Sequence, residues 1–271
     1  MKFIYFGTPE VASATLTYLK GNGYTPSLVI TNPDRPRGRG QQMTPSPVKE
    51  LAESLNIPFL TPESLKDQEV VNTIKSVGAD LAIVVAYGKI IPAELIALFP
   101  KGVINVHYSL LPKYRGATPL EASLQNEDKE TGVTLQRMVY ELDAGDIIAA
   151  ESIDIDPSDT AASLRPRLIE LGAKLLIENL PAYLADKLEL HPQNNALVTF
   201  ASKRNKTDGE LDLADSSSNN WRKYRAFDDT IGTYFFNDGK RYKITKAHFA
   251  NGEFVIDRVI PEGKSEIDYR P

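Results

Sequence analysis

The chain has no cysteine, three histidines, three methionines and one tryptophan in 271 residues. Without cysteine there is no thiol nucleophile, no thiolate-ligated zinc and no disulfide framework. With only His107, His191 and His248, a multi-histidine metal centre is not expected, and no metal is assigned. No stretch approaches the roughly 20 apolar residues that span a bilayer. The opening Met-Lys-Phe-Ile-Tyr-Phe-Gly is too short an apolar run for a signal peptide, so a cytoplasmic protein without a membrane partner is expected. The three-glycine dinucleotide fingerprint is missing, and Gly38-Arg39-Gly40 is not followed by the Lys-Ser or Lys-Thr of a phosphate-binding loop. Nucleotide cofactors are therefore set aside.

Charge of one sign is also lacking. The net charge is −5 overall. Residues 190–271 hold 13 basic against 12 acidic side chains, leaving 18 against 24 for residues 1–189. A general nucleic-acid binder would be strongly basic, so any such contact must come from local clusters.

What is present reads as alternating strands and helices. Phe3–Phe6 is a short apolar run ending at Gly7, and Glu10–Lys20 has helical spacing closed by Gly21-Asn22-Gly23. Ser27–Thr31 reads as a strand. Ser46–Leu55 reads as a helix capped by Ser46 with Pro47 in its first turn, and Asp67–Val77 as another closed by Gly78. Leu81–Ala86 is apolar throughout, as a central parallel strand must be. Pro92–Leu98 is a short helix, Gly102–His107 a strand, Val133–Val139 and Ile147–Ile155 later strands, and Thr160–Ala185 a long helix. The alternation predicts an α/β fold with a doubly wound, mostly parallel sheet over residues 1–189, whose ligand site lies beyond the strand carboxyl ends. A polar, turn-rich linker is expected at 190–206. Residues 207–271 then read as a small β-rich domain, with Thr233–Phe236, Arg241–Thr245 and Glu253–Ile260 as strands and Asn237-Asp238-Gly239 as a hairpin turn. Trp221 and Tyr224 are expected to anchor its packing.

Asn105-Val106-His107 ends a predicted strand, where residues two apart point to one face. Asp143, in Glu-Leu-Asp-Ala-Gly-Asp, lies in a turn that can fold back over the same edge. An amide, an imidazole and a carboxylate suit acyl transfer to an amine. Asn105 and a protonated His107 can donate hydrogen bonds to the oxyanion, while Asp143 favours the imidazolium and helps remove the amine proton through water. Taken alone, the same residues also fit a buried core histidine and a strand-end cap.

Five ordered motifs narrow the choice: Phe-Gly-Thr-Pro-Glu (6–10), Asn-Val-His (105–107), Ser-Leu-Leu-Pro-Lys-Tyr-Arg-Gly (109–116), Thr-Gly-Val-Thr (131–134) and Asp-Ala-Gly-Asp (143–146). Together, over roughly residues 1–190, they resemble the formyltransferases that use 10-formyltetrahydrofolate. The resemblance implies a Rossmann-like core, 10-formyltetrahydrofolate as co-substrate, and Asn105, His107 and Asp143 as the catalytic trio. It also implies folate contacts from Ser109, Leu110, Leu111 and Pro112, and a pterin pocket lined by Val85, Ala86, Tyr87, Gly88 and the turn at Leu142-Asp143.

The segment Asn32–Lys49 carries Arg35, Arg37, Arg39 and Lys49 against Asp34. The glycines and prolines of Asn32–Pro45 predict a mobile loop rather than a helix or strand. The local charge fits either a solvated basic loop or an arm whose Arg35, Arg37, Arg39 and Lys49 grip RNA phosphates. The segment resembles the arm of the branch of the family that formylates methionyl-tRNA, which implies that Arg39 enters the acceptor stem. Initiator methionyl-tRNA is thus the expected partner, with a monomeric enzyme. The 65 residues after 206 are too few for the full C-terminal barrel of that branch, so a reduced β unit is expected. A shortened second domain also keeps open an amino sugar carried on a nucleotide as the acceptor.

Overall fold

The structure, a computed structural model, describes residues 1–37 and 40–270, with only the backbone described for Arg37. Strand β1 (Phe3–Gly7) sends Phe3 and Tyr5 into one hydrophobic cluster and Ile4 and Phe6 into another. Burial on both faces explains why its sequence shows no polar alternation. Helix α1 (Glu10–Gly21) and β2 (Leu28–Ile30) follow. The segment expected to be a structureless loop instead folds as a hairpin of β3 (Arg35–Arg37) and β4 (Gln42–Thr44), pairing Arg35 with Thr44 and Pro36 with Met43. A two-stranded ribbon tolerates Pro36 because no third strand needs its missing N–H.

Helix α2 (Pro47–Ser54) starts as its sequence requires, with the Ser46 hydroxyl accepting from Lys49 N. Next come β5 (Phe59–Leu60), α3 (Gln68–Val77, capped by Asp67 and closed by left-handed Gly78) and the wholly buried β6 (Leu81–Val85). Helix α4 (Ala93–Ile96), β7 (Val103–His107), β8 (Arg115–Gly116), α5 (Pro119–Gln125), β9 (Glu130–Arg137) and β10 (Asp146–Asp154) complete the sheet region. Strand β9 begins before Val133 because its first residues pair with β10 past the end of β7, Glu130 opposite Asp154. The long α6 (Ala161–Leu184) is capped at Thr160.

The central sheet has seven strands in the order β10-β9-β7-β6-β1-β2-β5. The run from β7 to β5 is parallel, while β9 and β10 are antiparallel additions. The chain builds outward from β1 through β2 to β5, then returns to lay β6 on the other side of β1. The sheet therefore reverses its direction of growth between β1 and β6, and the crevice at those carboxyl ends is the usual ligand position. Helices α1, α2 and α6 cover one face; α3 and α4 cover the other over β1, β2 and β6, reaching Leu60 of β5 and no further along β7 than Val103. The second face of β7 and β9 is left for the site.

Beyond α6, β11 (Phe200–Ala201) pairs in parallel with β8. Helix α7 (Ser217–Phe227) precedes the antiparallel sheet β12 (Thr233–Asn237), β13 (Lys240–Ala250), β14 (Glu253–Pro261) and β15 (Ile267–Asp268), a reduced β unit of four strands. The expected hairpin turn forms with Asp238 and Gly239 both at positive φ, the geometry that suits the twist of the flanking strands. Trp221 and Tyr224 pack with Phe235, Ile244 and Val259 in a separate cluster. Arg225-Ala226-Phe227 forms the last turn of α7, and its Ala226 and Phe227 belong to the main core.

Candidate active site

Strand β7 presents Asn105 and His107 on one face, and the antiparallel register places Gln136 opposite Asn105 and Thr134 opposite His107. Asp143 reaches this face from the loop between β9 and β10, with φ 47. Its Oδ1 accepts from Asn105 Nδ2 at 3.2 Å and from Gln136 Nε2 at 3.0 Å, while Oδ2 accepts from Gly116 N at 2.7 Å. His107 Nδ1 stands 3.7 Å from Oδ2, with the imidazole side chain 6% and the carboxylate 12% exposed. The three residues singled out from sequence are thus gathered at one point.

The imidazole is fixed from its other side. Tyr114 O lies 2.9 Å from His107 Nε2. A carbonyl only accepts, so Nε2 keeps its proton and Nδ1 is the nitrogen left for chemistry. Tyr114 itself is pinned. Its N donates to Thr199 Oγ1 (2.9 Å) and its hydroxyl donates to Asp128 Oδ2 (2.7 Å). Burial, then the bond to Asp128, pushes the Tyr114 phenol up to about 12, so it remains a donor.

The Asp143 turn needs its glycine. A Cβ on Gly145 would lie 1.9 Å from Arg137 O, a contact no side chain can accept. The close approach lets Gly145 N donate to Gln136 Oε1 at 3.1 Å, which turns the Gln136 amide toward Asp143.

The other residues expected at the site divide into core and surface. Ser109 is fully buried; its hydroxyl donates to Lys113 O (2.6 Å) and its carbonyl accepts from Thr134 Oγ1 (2.7 Å). Leu111 is buried too, and its N donates to Thr134 Oγ1 at 3.0 Å. Leu110 and Pro112 line a cleft of about 510 Å³ shared with Tyr114 and Leu197. Val85 and Tyr87 are core side chains, Tyr87 packed edge-on to Phe6 at 5.5 Å between centroids. Burial pushes the Tyr87 phenol up to about 12. Only Ala86, at φ 45, and Gly88 face solvent in that segment. Leu142 is 62% exposed beside the trio, an apolar side chain without a protein partner to cover it.

The hairpin arm is rooted at the crevice. Tyr87 O accepts from both Thr8 Oγ1 and Asn32 Nδ2 at 3.0 Å, and the hydroxyls of Thr31 and Ser46 meet at 2.6 Å. Lys49 Nζ donates to both oxygens of Asp34, at 2.9 and 2.8 Å, and Arg35 pairs with Glu63 at 2.8 Å. Arg39 and the side chain of Arg37 lie outside the described residues. Sequence reasoning missed Gln136 and Gly116, the partners of the Asp143 carboxylate. Of these, Gln136 was recoverable, because a strand through 133–139 paired with 103–107 sets a polar side chain opposite Asn105.

Among the described residues no group of His, Asp and Glu is arranged to hold a metal ion. No described helix is long and apolar enough to cross a membrane.

Residues 1–180 match the family described as formyl transferase, and residues 203–267 match the formyl transferase C-terminal domain. The chain belongs to the formyltransferase family. It is 41% identical over 268 residues to the methionyl-tRNA formyltransferase of Geotalea daltonii, covering 99% of this chain and 86% of that protein. It is also 41% identical over 236 residues to the protein of the same name from Thermotoga maritima, covering 87% of this chain and 75% of the relative. Among solved structures, a methionyl-tRNA formyltransferase from Clostridium thermocellum superposes with TM-score 0.65 at 16% identity, covering 99% of this chain and all of that one (100%). An N-formyltransferase from Helicobacter canadensis gives 0.69 at 22% identity, with 93% and 88% covered. At these identities the solved structures show a shared fold.

Proposed function

We propose that this chain transfers the formyl group of 10-formyltetrahydrofolate to the methionyl amine of initiator tRNA, with Asn105, His107 and Asp143 as its catalytic groups. The observation that carries the chemistry is the convergence of these three side chains on the face of β7 beyond Val103 that α3 and α4 leave free. What supports the acceptor is the identity, near 41% across almost the whole chain, to relatives named for that reaction.

The amine nitrogen attacks the formyl carbon, and the carbonyl oxygen takes up the negative charge. Asn105 Nδ2 carries two hydrogens. Asp143 Oδ1 takes one and fixes the orientation of the amide, leaving the second for the oxyanion. Protonated His107 offers Nδ1–H to the same oxygen. Two preorganised donors in a water-poor site lower the barrier where charge develops, each worth about 3 kcal/mol in comparable sites. Collapse of the intermediate breaks the bond to N10 of the folate. The proton lost by the amine must reach N10, and Asp143, with three of its lone pairs already engaged, keeps a face toward His107 for a relaying water. Exposed Leu142, with the backbone at Ala86 and Gly88, would form the apolar lining for the pterin. One chain carries all three groups, so a single copy suffices, working in the cytoplasm where charged tRNA is found.

The test is a formyl-transfer assay with 10-formyltetrahydrofolate and either methionyl-initiator tRNA or a nucleotide-linked amino sugar. Activity on the sugar alone would overturn the acceptor while leaving the chemistry. Arg39→Ala should slow transfer to tRNA without changing folate affinity, and unchanged tRNA kinetics would remove the RNA role of the arm.

A further inference from the structure

Gln193 lies after α6, in the segment leading to β11. Its Nε2 donates to Asp143 O at 2.8 Å and to Gly145 O at 2.7 Å. Its Oε1 accepts from Arg115 Nε at 3.0 Å and from the Arg115 terminal nitrogen at 2.7 Å. The amide can sit only one way round, because guanidinium nitrogens only donate and carbonyls only accept. Both flanks are held by main chain. His191 and Ile147 exchange N–H···O bonds of 2.8 and 2.9 Å on the edge of β10, and Arg115 N donates to Thr199 O at 2.9 Å.

The stretch before Asp143 adds no core packing to the turn that Gln193 grips. Val139, Tyr140, Glu141 and Leu142 are all exposed and contribute nothing to the core. Asp143 occupies the left-handed region, which non-glycine residues enter only when surroundings impose it. Gln136 holds the carboxylate and Gly145 N from the sheet side, and Gln193 holds the two carbonyls from the other. The same β8 segment that anchors Gln193 through Arg115 also gives Gly116 N to Asp143 Oδ2.

We propose that Gln193 is a positioning residue for formyl transfer: from the segment between the two sheets, anchored by Arg115, it fixes the strained turn that aims Asp143 at His107 and Asn105. The proposal rests on the catalytic reading of Asp143 given above. Because Gln193 belongs to the segment that leads to the C-terminal sheet, the geometry of the reacting groups depends on residues outside the sheet that bears them.

The experiment measures single-turnover formyl transfer from 10-formyltetrahydrofolate to methionyl-initiator tRNA for Gln193→Ala, Gln193→Glu and Arg115→Met, each also combined with Asp143→Ala. Gln193→Glu keeps an acceptor for Arg115 but sets a carboxylate against two carbonyls, so it should be at least as slow as Gln193→Ala. The expected loss is about tenfold to a hundredfold in rate for each variant, with tRNA affinity unchanged. In the Asp143→Ala background the same changes should have no further effect, since residues acting through one group are not additive. A general loosening of the fold would instead multiply the two losses, and that outcome overturns the proposal. Full-speed Gln193→Ala beside slow Asp143→Ala overturns it while leaving the site reading intact. Near-normal Asp143→Ala removes the site reading and the proposal with it. Should one variant fail to fold, Arg115→Met breaks the same contact from the opposite side and gives the same decision.

Discussion

His107 Nδ1 and Asp143 Oδ2 are 3.7 Å apart, facing each other just beyond hydrogen-bond reach. The carboxylate is not held by the imidazole. Its position comes from Gly116 N, Asn105 and Gln136, so the gap beside Nδ1 is kept open by groups that take no part in proton movement. The spacing is too short for a water to stand in line between the two side chains, so a relaying water would touch both from the open side of the pair.

Removing either member should therefore stop the chemistry without unfolding the chain. His107→Ala and Asp143→Ala are each expected to lower turnover at least about a hundredfold, the scale seen when one oxyanion donor is lost. Steady-state kinetics with circular dichroism as the fold control would check it. Rates within a few-fold of the parent in both variants would contradict the assigned roles.

Gly145→Ala tests the turn rather than the reacting groups. The added methyl would meet Arg137 O at 1.9 Å, so the loop must move and Gln136 loses Gly145 N. The expected result is a loss of activity of at least about tenfold for a displacement on the order of 1 Å. The melting temperature should change little, because residues 139–142 are exposed.

Acid should weaken the start of α6. Burial alone would raise the Asp159 carboxyl, yet the Ser163 hydroxyl, Asp156 N–H and Arg167 guanidinium hold it below its ordinary 3.8. A depressed carboxyl gives stability that is present above the unfolded value and lost as pH falls through the folded one. Asp159→Asn should accordingly melt below the parent at about pH 7, with the difference closing below about pH 4. A gap that stays constant across that range would refute the assignment.

Arg225 is buried, with Nε donating to Asp159 O at 2.7 Å and its terminal nitrogen to Asp156 O at 3.0 Å. Arg225→Met keeps the bulk and strips both acceptors. A loss of about 1–3 kcal/mol in unfolding free energy is expected, because Asp159 O loses its Arg225 donor while Asp156 O keeps the N–H of Asp159. Urea titration measures it.

The sheet was legible because its strands are buried on both faces and its helices carry ordinary caps: Ser46, Asp67, Gly78 and Thr160 act as their residue types suggest. Asn105 and His107 were legible because strand periodicity alone puts them on one face. The trio as an active site depended on resemblance, since nothing local says where Asp143 folds. What escaped notice depends on contacts distant in sequence. Phe59–Leu60 is two residues long and exists only because β2 offers an edge. Pro119–Gln125 is only seven residues long and buries Glu121 and Ser123 beside its leucines, so its polar residues mark no outward face. Gln193 reaches Asp143 across fifty positions, and a polar turn-rich segment gives no hint of the carbonyls it serves.

Helix α7 gives Trp221 and Tyr224 to the small cluster and Ala226 and Phe227 to the large one, and the indole N–H reaches Pro157 O at 3.4 Å. One rod shared by two cores cannot melt out of one and stay seated in the other. The chain's sole tryptophan sits on that rod, so its emission should report a single sigmoid on heating that coincides with the loss of backbone ellipticity. The halves of this molecule stand or fall together.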